Sequence, residues 1–167
     1  IIFIILIIMY NGKKNNFDNI RESYLEWYFS SNPVSATWIG IHTYDGRLPS
    51  NTPNDYVTSK TITKSFLNQL EQINSEILSK NDKVDLDLMK HSLEKSLFYF
   101  NEIKSHTWDP TGPVWTIGSG YETLMGYDFA PKKDRAINLN QRMIATTKYL
   151  DNARGMLEIM PIPHLKT

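Results

Sequence analysis

Cysteine is absent from this 167-residue chain. That excludes a disulfide framework, a thiolate metal site and a cysteine nucleophile. Net charge is absent too, since 18 basic residues balance 18 acidic ones. A neutral chain lacks the long-range field that draws a protein to nucleic acid or an anionic membrane surface, so neither is expected as a partner. The sequence has no H-E-x-x-H, the helical pattern that sets two His one turn apart with a Glu between to activate water. Its four histidines, His42, His91, His106 and His164, are scattered. Gly118-Ser119-Gly120 lacks the further glycine of a dinucleotide loop and follows no strand pattern, and Ser119 is not in a G-x-S-x-G elbow. No catalytic set and no metal set is complete, and no cofactor is expected from these residues alone.

What is present is amphipathic helix. Hydrophobic residues make up 41% of the chain and charged ones 22%, an ordinary globular balance. The length suffices for one domain burying roughly 70% of its unfolded surface. From Phe17, apolar residues at 17, 20, 24 and 27 fall at helical steps, and Asn32-Pro33 stops the pattern. Pro33 then suits the first turn of a short helix through Trp38, ended by Gly40. A second long helix is expected from Thr52 as cap, with Ile62, Phe66, Leu70, Ile73 and Ile77 as its stripe and Asn81-Asp82 as its break. A third carries Leu86, Met89, Leu93, Leu97, Phe100 and Ile103 on one face and ends at Trp108–Pro113. A shorter helix is expected over about Val114 to Met125. Pro131 opens the last, whose buried face reads as Ala136, Leu139, Met143, Leu150 and Leu157. Outside the N-terminal run, no alternation is long enough for a strand. The expected fold is therefore all-α, a multi-helix array of antiparallel amphipathic helices.

The run Ile1–Met9 is apolar without a break, then turns polar at Asn11–Asn16. It is far shorter than the about 20 residues of a spanning helix, and fits the h-region of a truncated export signal, with a buried Ile-rich strand as the plainer alternative. Residues 1–14 are accordingly set apart from a helical domain at 15–167, and export to the periplasm or exterior is expected. Membrane contact is expected only through that segment. With no cysteine to lipidate, an anchor is unsupported. Met160-Pro161-Ile162-Pro163 reads as the lead-in to a further helix.

Among polar groups, His42, Tyr44, Asp45 and Arg47 form the most suggestive cluster. They follow a glycine-ended helix on a loop, where Asp can orient a His tautomer and Tyr can donate to a ligand oxygen. The plainer alternative is an Asx-type turn with His and Tyr half-buried against Trp38 and Arg47 paired to Asp45. On the third helix Asp87, His91 and Glu94 are one turn apart, but opposite the apolar stripe with Lys95 beside them, which reads as a solvated face. Glu102 and His106 share that spacing near a helix end, where the dipole favours His.

The segments Glu26–Phe29 and Pro33–Pro49, with Gly40-Ile41-His42 and Tyr44-Asp45 at their centre, resemble the domain-of-unknown-function 885 family. The resemblance continues through Asp85-Leu86-Asp87, Leu93-Glu94, Trp108-Asp109-Pro110, Gly118–Tyr121, Phe129-Ala130-Pro131, Arg135 and Ala153-Arg154. It implies a bacterial, exported, helical zinc-metallopeptidase-like protein, distantly similar to Taq-type carboxypeptidases, of which this chain is the N-terminal part. The family's H-E-x-x-H helix lies downstream, so zinc is expected only with that part, and no ligand residue carries over to this chain. The resemblance implies that His42, Tyr44, Asp45 and Arg47 line a cleft wall for a peptide substrate. By itself the chain is expected to be inactive and to self-associate through an exposed apolar face. The other reading is a self-contained, non-catalytic helical binding module, whose Trp27, Trp38, Trp108 and Trp115 would suit a ligand groove or a core.

Overall fold

The computed structural model describes residues 16–159, so the Ile1–Met9 run and the Met160–Thr167 stretch lie outside the described residues. Within them the chain is all-α. The six α-helices are α1 (Asn16–Ser31), α2 (Pro33–Trp38), α3 (Pro53–Glu71), α4 (Lys80–Phe98), α5 (Thr111–Gly126) and α6 (Lys132–Met156).

Two helical hairpins dominate: α3 packs on α4, and α5 on α6. Helix α1 lies on the first hairpin, and α2 ties α1 to α5. The first group encloses an apolar core of Phe17, Ile20 and Tyr24 from α1, Leu70 from α3, Leu78 from the connection, and Leu86 and Leu93 from α4. Each such side chain contributes about 1.5–3 kcal/mol by leaving water. Tyr24, Trp27 and Phe66 meet at the edge of this core, Tyr24 edge-to-face on Phe66 with centroids 5.5 Å apart.

The helix starts follow local chemistry. Thr52 and Asp55 form a reciprocal capping box at α3, with Pro53 in the first turn, which satisfies otherwise orphaned N–H groups. Helix α2 ends as expected at Gly40, whose φ of +90° suits a residue without Cβ. The Gly40 and Ile41 N–H groups donate back to the Thr37 and Ala36 carbonyls at 3.0 and 2.8 Å, the paired bonds of a Schellman ending.

Three expectations need correction. The break after α3 lies at residues 72–79, not at Asn81-Asp82. Ser79 caps α4 by accepting from the Asp82 N–H, so Asp82 belongs to the first turn of α4, and Ile77 stands in solvent. Helix α4 passes into a π turn over Tyr99–Ile103 and stops at Lys104 with φ 49°, ahead of Trp108. Finally, the inward face of α6 is Arg135, Arg142, Tyr149, Ala153 and Met156. Ala136, Met143 and Leu150 are exposed instead.

His106 packs against the Tyr56 ring, centroids 3.6 Å apart, with its Nδ1 buried and without a hydrogen-bond partner among the described residues. Burial lowers its pKa below the ordinary value, opposed by Glu158. The folded state thus resists a proton that the unfolded chain accepts near the ordinary His value of about 6.5. This contribution to stability is complete above that pH and is lost as pH falls through it. His106→Phe keeps the ring contact and removes the orphan nitrogen. In urea melts it should match or exceed the parent at neutral pH and lose less stability on acidification. An equal loss in both proteins would contradict this account.

Candidate functional site

The Schellman ending turns the chain from α2 into a 3₁₀ turn at His42–Tyr44, and so delivers the four candidate residues to one place with different fates. Asp45 is 4% exposed and accepts from the Thr37 hydroxyl at 2.7 Å. His42 Nδ1 lies 3.1 Å from Asp45 Oδ2. The imidazole also stacks on Phe129, centroids 4.0 Å apart and 12° from parallel. Asp45 and Phe129 therefore fix the ring from two sides, while the His42 side chain remains 39% exposed.

Tyr44 turns the other way. Its hydroxyl donates to Glu26 Oε1 on α1 at 2.7 Å, and this bond raises its pKa above the ordinary value. The Arg47 guanidinium covers the Tyr44 ring at 5.3 Å and reaches the Ser30 carbonyl at 3.4 Å. The Arg47–Asp45 pairing expected for a simple turn is not what holds this loop. Arg47 also lines a cavity of about 480 Å³ between α1, α3 and α4, whose lining does not include His42, Tyr44 or Asp45.

Beneath this turn is a residue that the candidate set omitted. Arg142 of α6 is fully buried at 0% exposure. Its Nε donates to the Arg47 carbonyl at 3.1 Å, one Nη to the Gly120 carbonyl at 2.6 Å, and the other Nη to Thr37 Oγ1 at 2.7 Å. Through Thr37 it joins the chain of contacts to Asp45 and His42. Burial draws the Arg142 pKa down to about 10, with the Asp45 carboxylate opposing that shift, so the group stays charged at neutral pH. Gly120 makes this approach possible: a Cβ there would sit 3.2 Å from both Arg142 Nη1 and Val34 Cγ2. One turn pair earlier on α6, Arg135 donates to the Leu124, Met125 and Ala130 carbonyls and to Asp128. It thereby closes the C-terminal end of α5.

The other sequence candidates stay apart. Asp87, His91 and Glu94 stand exposed on α4, and Glu102 is exposed while His106 lies against Tyr56. Among the described residues no group of three or more His, Asp or Glu could hold a metal. These residues do not fit a zinc site, and no step through zinc is assigned to them. Among the same residues no helix is long and apolar enough to cross a membrane.

Residues 33–162, which span α2 through α6, match the family described as "Bacterial protein of unknown function (DUF885)". The chain belongs to this family. The DUF885 unit also resembles a solved structure described as a "putative lipoprotein of unknown function from Shewanella oneidensis", with a TM-score of 0.79 and 23% identity. The match covers 90% of this chain and 27% of that one, so the DUF885 chain spans about a quarter of the larger protein. At that identity the likeness speaks for the fold. No curated protein matches the chain.

Removing the Arg142 charge should strand the Gly120 and Arg47 carbonyls and leave Asp45 uncompensated. Arg142→Met is expected to cost about 3–5 kcal/mol in urea unfolding. Asp45→Asn in that background should cost less than in the parent, with a coupling of about 1 kcal/mol or more. Additive losses would show that the two groups do not sense one another.

Proposed function

We propose that this DUF885 unit forms one wall of a substrate cleft in a longer, exported, zinc-peptidase-like protein, with the metal and its water-activating glutamate held by residues outside 16–159. The observation that carries the reading is the apolar outer surface of the second hairpin. Trp115 is 73% and Ile144 74% exposed, and Val114, Met125 and Ile137 are exposed as well. Side chains of this size turned outward suit a surface that packs on further protein. The length of the solved relative supports the same view, because the match accounts for 27% of it. Export is supported by that relative's description as a lipoprotein and by the apolar Ile1–Met9 run.

In this reading the substrate is a peptide, and His42, Tyr44, Asp45 and Arg47 contribute to the wall rather than to bond cleavage. The fixed His42 ring would offer a hydrogen bond at the rim, and Arg47 a charge. Hydrolysis would fall to a metal-activated water on the opposite wall.

The test uses the purified 167-residue chain beside a longer family member. The short chain should show no chelator-sensitive peptidase activity and should self-associate as its concentration rises in light scattering. The longer protein should hydrolyse peptides in a zinc-dependent way. Chelator-sensitive hydrolysis by the short chain would overturn the division of labour. A monodisperse short chain would instead favour a self-contained helical binding module.

A further inference from the structure

The cavity of about 480 Å³ between α1, α3, α4 and the loop after Arg47 lies in the size range of small-ligand sites. Its lining combines three kinds of group. Trp27, Tyr28 and Tyr56 supply aromatic surface, Arg47 and Asn51 supply N–H donors, and Asp55 supplies a carboxylate. We propose that this cavity binds a neutral saccharide of one or two rings.

Polar capacity is left over where the cavity needs it. Asp55 Oδ2 takes bonds from the Ser50 hydroxyl, the Thr52 hydroxyl and the Thr52 N–H. Among the described residues nothing donates to Asp55 Oδ1, and those bonds on its twin hold the carboxyl below its ordinary pKa. It is therefore a fixed, ionised acceptor with a free lone-pair side. Arg47 spends one N–H on a long 3.4 Å contact with the Ser30 carbonyl and is otherwise held by the Tyr44 ring. Neither the Trp27 indole N–H nor the Tyr28 hydroxyl has a hydrogen-bond partner among the described residues. Asn51 sits at φ 55°, a conformation its backbone holds at some cost.

The ligand class follows from this inventory. Arg47 and Asp55 cancel in charge, so a net anion meets the carboxylate and a net cation meets the guanidinium. A neutral ligand meets neither penalty. Hydroxyl groups both donate and accept, which matches a lining that holds an acceptor and several donors. The negative faces of the aromatic rings favour the positive C–H edges of a sugar ring over a second electron-rich plane. The cavity shares only Arg47 with the four cleft-wall residues, and its ligand is read from its own lining, so failure here leaves the cleft-wall reading standing.

The experiment is an NMR titration of the labelled 167-residue chain with N-acetylglucosamine, methyl glucoside, maltose and cellobiose, and with phenylalanine as a zwitterionic comparator. At least one sugar should shift the Trp27 indole signal and the Asn51 and Asp55 amides saturably, with a Kd of about 1 mM or tighter. Asn51→Gly retains a backbone suited to positive φ and should fold normally while weakening binding about tenfold. Trp27→Leu should abolish it, and the folding of Asn51→Gly guards against a merely structural loss. The proposal fails if no sugar gives a saturable shift by about 20 mM. It also fails if phenylalanine binds in their place, or if both variants bind sugar as the parent does.

Discussion

A buried guanidinium sets the terms for half of this molecule. Arg142 has no solvent to carry its charge, so surrounding backbone and side chains must do so. A charge in that position destabilises the fold unless acceptors meet it with good geometry. Three acceptors do, and they come from three different places: the loop at Arg47, helix α5 at Gly120 and helix α2 at Thr37. Each is thereby required to hold its position. The second hairpin adds these polar contacts to apolar burial at Leu124, Tyr149, Ala153 and Met156, whereas α1, α3 and α4 pack chiefly around Phe17, Leu70 and Leu86.

That difference explains where the surface features fall. The His42 ring is held by Asp45, Asp45 by Thr37, and Thr37 by Arg142, so an exposed imidazole rests on a fully enclosed support. Arg135, two turns earlier on the same face of α6, braces the Asp128–Ala130 loop that carries Phe129, the ring on which His42 stacks. Two arginines on one helix thus hold the two sides of the same ring contact. With two arginines in the N-terminal part of its inner face, α6 turns several apolar residues outward, among them Ile137, Met143 and Ile144. A surface of this kind suits packing against further protein in a larger family member.

Much of the architecture could be read from residue order. The all-α class, the α1 stripe, the Pro33 and Thr52 starts and the Gly40 ending each rest on one local rule, and local rules survive folding. The failures have common physical causes. Nothing between Glu71 and Ser79 is a proline or glycine, so the true break carried no strong mark. Asn81-Asp82 resembled a stop because the same residue types serve starts and turns. The face of α6 departs from its hydrophobic pattern because a binary pattern sends arginine to solvent, whereas Arg135 and Arg142 are buried. The spacing 135, 142, 149 did carry a signal, since it repeats every seven residues along one face. Reading it required expecting a buried charge. Proximity in sequence also suggested Arg47 as the partner of Asp45, whereas the charge that senses Asp45 lies on α6.

The central claim is that one buried charge holds α2, the 42–47 turn and α5 together while the apolar core of α1, α3 and α4 stands without it. Native-state hydrogen exchange on Arg142→Lys addresses it most directly, because lysine keeps the charge but cannot reach three acceptors as a planar fork. The account predicts faster exchange at Gly40, Ile41 and the α5 amides around Gly120, with protection near Leu70, Leu86 and Leu93 unchanged. Uniform loss of protection across all six helices, or no change around Gly120, would contradict it.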